Sequence, residues 1–384
     1  MIRPACVRPY AIHFFQKMMM GISCCKACHW LRVLGQLPLV VVCGLVAMVE
    51  PLVAPLLETS PVATSRLRGK RVLVTGATSG VGRCAALRFA GLGAEVVLAC
   101  RSREKGEELK REIEGRHATA KVYIADLDLA SLESARRCAL NMGRNLDVVV
   151  LNAGINTNTP TERHADLKCS SIFGVNFVAQ WYFLNMLRPF LNENCRVVCL
   201  SSVMHHMADP ALFLPDETLL GHLRADYSES KLAMNLLARS LRRQDDVFDD
   251  KDQKKLEGVA VNPGFVQSDI WRYTNPFVKP VFDFLMSFLA LCPDQVAATT
   301  VFAAATPQVG LDDYFAPYLH PLPFGLPFCS AFEFLGPFAG PRRAYCRLPR
   351  HEKQVASSLW QTCASLCADF LPEHNSPSSP RQSS

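Results

Sequence analysis

Between Arg71 and Gly82 the chain runs RVLVTGATSGVG. Arg71 to Val74 is a short β-branched run of the kind a strand buried on both faces requires, and a helical run follows Gly82. The glycines between them have separate uses. Gly76 allows a tight turn, Gly80 a close approach of backbone to a diphosphate, and Gly82 contact of helix with strand. A helix starting there offers unpaired N–H groups and the positive end of its dipole to phosphate oxygens. Gly76, Thr78, Ser79, Gly80, Val81 and Gly82 are therefore candidate cofactor-binding residues.

Working outward, the same kind of short apolar run recurs at 95–99, 121–125, 147–151, 196–200 and 258–261. Amphipathic stretches at 103–114, 131–142 and 228–243 alternate with them. Strand and helix in alternation predict an α/β fold, a doubly wound parallel sheet of Rossmann type with helices on both faces. At the end of the second strand an acidic residue would favour NAD(H) and a basic one NADP(H). Cys100-Arg101-Ser102-Arg103 has no acid, so NADP(H) is expected over NAD(H), with Arg101 beside the 2′-phosphate.

The chain has 384 residues, 49% hydrophobic and 20% charged, a globular composition. Its net charge of +6 is spread without a dense basic block, so no nucleic-acid partner is expected. The first acid is Glu50, and 33–49 is an uncharged, mostly apolar run interrupted by Pro38 and Gly44. Its 17 residues stand at the lower limit for crossing a bilayer. Residues 1–68 are read as a targeting or anchoring segment; anchor, cleaved signal and organellar presequence stay open, with a membrane anchor favoured. The endoplasmic reticulum is the favoured location, with the mitochondrion or another organelle as alternatives. Sixteen scattered cysteines suit a reducing compartment better than a disulfide scaffold. The Cys25-x-x-Cys28-His29 string matches a haem-attachment pattern but lacks a downstream ligand pattern, and no metal site is expected. Residues 69–371 are read as one catalytic domain. Within it, 245–255 is a charged surface loop and 317–341 a Pro-, Phe- and Gly-rich lid or insertion. The tail 372–384 reads as disordered.

Tyr227-Ser228-Glu229-Ser230-Lys231 opens the helical stretch and places Tyr227 and Lys231 on one face. Upstream, the run at 196–200 leads into Ser201-Ser202 at the carboxyl end of the sheet, where open α/β folds bind ligands. With TGATSGVG at 75–82, LNAG at 151–154, GVNFVAQ at 174–180 and NPGFVQS at 262–268, the chain resembles the short-chain dehydrogenase/reductase superfamily. LACRSREKGEEL at 98–109, DLDLASLES at 126–134 and CPDQVAATTVFAA at 292–304 make it most similar to the retinol dehydrogenase and protochlorophyllide reductase branch.

The resemblance implies a catalytic tetrad of Asn176, Ser202, Tyr227 and Lys231. It also sets Asn152, Ala153 and Gly154 beside the cofactor with Tyr227 and Lys231. Asp128 and Leu129 fall at the adenine, Asp128 being preferred to Asp126, and Pro263, Gly264, Val266 and Ser268 at the nicotinamide. The substrate class it implies is a hydrophobic alcohol or carbonyl, such as a retinoid, steroid or lipid aldehyde; a homodimer stays open. Two other readings stand beside it, a catalytically silent NADPH-binding sensor or scaffold and a tetrapyrrole reductase.

Chemically, a phenol with a pKa near 10 is a weak base at neutral pH. An ammonium about 5 Å away at an effective dielectric near 20 is worth on the order of 3 kcal/mol, roughly two pKa units. The expectation is therefore a Tyr227 made acidic by Lys231. Ser202 would donate to the developing oxyanion, and Asn176 would hold a water leading to Lys231.

Overall fold

Strands β1 (Arg71–Thr75), β2 (Glu95–Cys100), β4 (Leu146–Leu151) and β6 (Leu256–Val261) are buried almost throughout, as is the second half of β5 (Leu191–Leu200). Their valine- and leucine-rich sequences fit a sheet covered on both faces. Strand β3 (Lys121–Asp126) differs: Lys121 and Tyr123 are exposed while Val122 is buried, as befits an edge. The sheet order is β3-β2-β1-β4-β5-β6-β7-β8, parallel through β7 (Tyr314–Tyr318) and closed by antiparallel β8 (Phe338–Arg343). The doubly wound sheet expected from sequence is thus present.

Strands β7 and β8 occupy the two ends of the stretch read as a lid or insertion. They carry Pro317 and Pro341: Pro341 lies in the edge strand β8, and Pro317 falls at the register irregularity between Ala316 and Tyr318 where β7 pairs with β8, so the composition hides the strands.

This computed structural model describes residues 64–143, 145–156, 163–214, 227–247, 254–264, 293–307, 309–311, 314–318, 338–343, 346 and 348–371. The apolar run 33–49, the cysteine group 24–29, Val266, Ser268, residues 248–253 and 319–337, and the tail from 372 lie outside the described residues. Among the described residues no helix is long and apolar enough to cross a membrane.

Helices α1 (Gly80–Gly91), α2 (Arg103–Arg116) and α7 (Pro293–Ala305) cover one face, over a core that includes Val72, Val74, Phe89, Val96 and Leu98. The other face is covered by α3 (Leu132–Leu140), α4 (Ser171–Phe173), α5 (Ala179–Leu187), α6 (Tyr227–Arg243) and α8 (Glu352–Leu366). Serine side chains start three of these helices: Ser102 accepts from the Lys105 N–H, Ser131 from the Ser134 N–H and Ser170 from the Phe173 N–H.

Two contacts hold α6 in place. A Cβ on Gly258 of β6 would stand 2.0 Å from the Ala238 carbonyl oxygen, so helix and strand meet backbone to backbone. At its far end Arg239 and Arg243 reach Glu352 at the start of α8.

Strands β2 and β3 lie on one side of β1, and β4 onward on the other, so the loops after β1 and β4 diverge at a switch point. That crevice collects most of the residues singled out by sequence.

Candidate active site

The turn after β1 is built for close approach. Gly76 and Gly80 have φ of +64° and +51°, a region that suits glycine. A Cβ on Gly76 would lie 2.9 Å from Ala153 Cα, and one on Gly82 would lie 2.4 Å from both the Gly76 carbonyl oxygen and Asn152 Nδ2. Ser79 precedes α1 in extended conformation without capping it through its side chain, which leaves the first-turn N–H groups to an anion. Thr78 is half-buried, Ser79 exposed and Val81 buried. These features fit the diphosphate of a nicotinamide dinucleotide.

The turn is pinned from β4. Asn152 Nδ2 donates to the Thr75 and Gly76 carbonyls at 2.7 and 3.3 Å. Thr75 Oγ1 accepts from the Asn152 and Ala153 N–H groups at 2.9 and 3.0 Å and donates to Gln180 Oε1 at 2.9 Å. The Gln180 amide in turn donates to the Ala153 and Asn176 carbonyls, both at 2.9 Å. Sequence reasoning missed Thr75 and Gln180 as the hub of this network. The available signal was a lone amide inside the apolar run from Phe177 to Leu184.

Asp128, expected at the adenine, accepts from the Ala130 N–H through Oδ1 at 3.0 Å, so its carboxylate shapes its own turn. Leu129 is buried, and its carbonyl accepts from His164 Nε2 at 2.8 Å. Arg101 is exposed directly after β2, whereas Arg103 pairs with Asp126 at 2.7 Å across the β2–β3 edge.

At the reacting end the chain departs from a regular helix. Residues Gly174–Val178 form a π-helical turn between α4 and α5, and Asn176 sits in it fully buried. Its Oδ1 accepts from the Ile155 N–H at 2.7 Å, and its Nδ2 donates to the Ile155 carbonyl at 2.9 Å and to Ser230 Oγ at 3.4 Å. Its own carbonyl is taken by Gln180. The expected water-holding side chain is thus committed to fixing the loop after β4, because both amide atoms already have backbone partners. Gly154 lies under the site: a Cβ there would stand 3.3 Å from Asn176 Oδ1 and 3.8 Å from Lys231 Nζ.

Tyr227 and Lys231 are buried on one face of α6, with Lys231 Nζ 5.3 Å from the Tyr227 ring centroid. The ammonium donates to the Leu200 carbonyl at 3.0 Å, and Ser201 Oγ to the Lys231 carbonyl at 3.1 Å, tying α6 to the end of β5. Ser202 Oγ accepts from the Met204 N–H at 3.3 Å and bonds the Tyr227 hydroxyl. The expected acidic phenol is not found: burial pushes Tyr227 up to about 12, with the Ser202 bond pulling the other way. Burial also pushes Lys231 down to about 8. Taking each charge from water costs more than the attraction between the pair returns. Pro263 and Gly264 follow β6, and the Gly264 N–H bonds the side chain of buried Asn262 at 2.8 Å.

The sequence pattern of the short chain dehydrogenase family matches residues 70–279. Dehydrogenase/reductase SDR family member 13 from Bos taurus is 34% identical over 252 residues, 62% of this chain and 63% of that one. The chain therefore spans less than two thirds of this relative. Retinol dehydrogenase 14 from Homo sapiens is 32% identical over 63% of this chain and 76% of its own length. Polyprenol dehydrogenase from Mus musculus is 30% identical over 63% and 73% of the two chains. Among solved structures, an uncharacterized protein from Mycobacterium Paratuberculosis superposes with a TM-score of 0.55 at 27% identity, covering 79% of this chain and 97% of that one.

Proposed function

The chain belongs to the short chain dehydrogenase family, in its retinol dehydrogenase-like branch, and on that premise we propose that it is an NADP(H)-dependent oxidoreductase. It interconverts an alcohol and its carbonyl on a hydrophobic substrate, with Tyr227 as general acid and base. The carrying observation is that Tyr227, Ser202 and Lys231 meet, nine-tenths or more buried, where the end of β5 meets the start of α6, beside Gly154 of the loop that pins the glycine turn.

When bound, the nicotinamide cofactor supplies or accepts the hydride. Gly76, Thr78, Ser79, Gly80, Val81 and Gly82 hold its diphosphate, and Asn152, Ala153 and Gly154 line the crevice beside it. Asp128 and Leu129 border the adenine, and Pro263, Gly264, Val266 and Ser268 the nicotinamide side. The NADP(H) preference rests on Arg101, exposed after β2 with no acid beside it in the loop.

Tyr227 donates its proton to the substrate oxygen in reduction and takes it back in oxidation, while Ser202 bonds the same oxygen. A phenol held at about 12 stays protonated through physiological pH, which suits it to act as the acid. Lys231 offsets the charge left on the phenolate, and Asn176 positions the wall beside Lys231. The hydrophobic substrate class, of retinoid, steroid or lipid aldehyde kind, follows from the relatives named retinol and polyprenol dehydrogenase. We read residues 69–371 as the catalytic domain and the apolar run at 33–49 as its membrane association.

The test is a screen of all-trans-retinal, nonanal and a steroid ketone against NADPH and NADH in parallel. Turnover with NADPH that is lost in Tyr227→Phe is expected. Full activity in that variant, or none in the parent with any pair, would defeat the reading.

A further inference from the structure

Behind Ser202 lies a buried imidazole that the mechanism above does not use. His205 is 2% exposed, in the turn Val203–Met207 that follows the reactive strand end. Both its backbone N–H and its ring grip one atom: the Ser202 carbonyl oxygen accepts from the His205 N–H at 3.1 Å and lies 2.7 Å from Nδ1.

A carbonyl oxygen can only accept, so Nδ1 carries a proton, and Nε2 faces the other way. On that side stands Cys346, whose thiol lies 3.8 Å from Nε2. The ring is fixed from two more directions, 4.0 Å from the His206 ring and edge-on to Tyr314 of β7 at 5.4 Å. The imidazole therefore joins three segments far apart in sequence: the end of β5, strand β7 and the segment before α8.

We propose that His205 is a positioning residue for the reaction, holding the Ser202 peptide so that Oγ meets the Tyr227 hydroxyl, and anchoring that peptide to Cys346 and Tyr314. This rests on the functional reading above. Ser202 leaves the sheet as its strand ends, and its own hydroxyl accepts from Met204 within the same short turn. Without the ring, one backbone N–H and this local bond are left to set the aim of Oγ. Misplacement of a reacting group by about 1 Å can cost on the order of a hundredfold in rate.

The test compares His205→Leu, His205→Asn and His205→Gln with Ser202→Ala in the full chain, following NADPH oxidation with all-trans-retinal and nonanal. Asparagine can present a donor where Nδ1 stands, leucine cannot, and glutamine carries its donor one bond farther out. Expected is a fall in kcat of about tenfold or more in the leucine variant, with KM for NADPH within about twofold. Asparagine should recover most of that loss and glutamine little of it.

Parent-like kcat in the leucine variant, while Ser202→Ala is impaired, overturns this inference alone. If the leucine variant does not fold, equal kcat in the asparagine and glutamine variants overturns it. An inactive parent with both probes overturns it together with the functional reading.

Discussion

Replacing Asn176 by alanine tests whether the π-helical turn exists to fix the loop after β4. The substitution removes the acceptor of the Ile155 N–H at 2.7 Å and the donor to the Ile155 carbonyl at 2.9 Å, leaving both backbone groups without these partners. An orphaned polar group costs about 1–3 kcal/mol when buried, and Ile155 is half-buried, so water recovers part of the loss. The lower end of the range for each group gives about 2 kcal/mol. For a domain of this size each kcal/mol lowers Tm by roughly 2–4 °C, so a fall of about 4–8 °C is expected by calorimetry. Because Ile155 follows Gly154, which lies beneath Lys231 Nζ, kcat should drop in the same variant. A Tm within about 1 °C of the parent would refute the claim that this amide is structurally committed, and would return it to the water-holding role.

Other outcomes can be stated from the same geometry. Gly82→Ala places a methyl 2.4 Å from a backbone carbonyl oxygen, so NADPH binding measured by fluorescence should weaken tenfold or more; unchanged affinity would exclude a cofactor at this turn. Arg101→Glu should lower the NADPH-to-NADH ratio of kcat/KM by at least tenfold, about 1.4 kcal/mol, and an unchanged ratio would remove Arg101 from cofactor choice. Lys231, held down to about 8 by burial, carries its charge below that pH and loses it above. Carbonyl reduction should therefore fall as pH rises through about 8, and a flat kcat profile from about pH 6 to 10 would contradict the assigned role. The same depression makes the unfolded chain bind more protons between about 8 and the ordinary lysine value. This group thus costs stability below that window, and the cost lifts as pH rises through it.

The central sheet was legible because each inner strand is a compact β-branched run, and a strand buried on both faces leaves no other pattern. Tyr227 and Lys231 were legible because their pairing is local, one helical turn apart. Four features were not. Thr75 and Gln180 bond across 105 positions, and His205 meets Cys346 across 141, separations that leave no local trace. The commitment of Asn176 depends on a π-helical turn, a register shift that residue type does not announce. The direction of the Tyr227 shift failed because sequence shows which charges are neighbours and not how little water reaches them.

The ion pairs from Arg239 and Arg243 to Glu352 bear on how the protein matures during synthesis. The helix bearing Tyr227 is braced by a segment translated more than a hundred residues later, and the ribosome covers the last few dozen residues of a growing chain. A nascent chain that has finished the glycine turn and the tyrosine thus still lacks that brace. Competence for turnover should arrive only after the segment carrying Glu352 has left the ribosome.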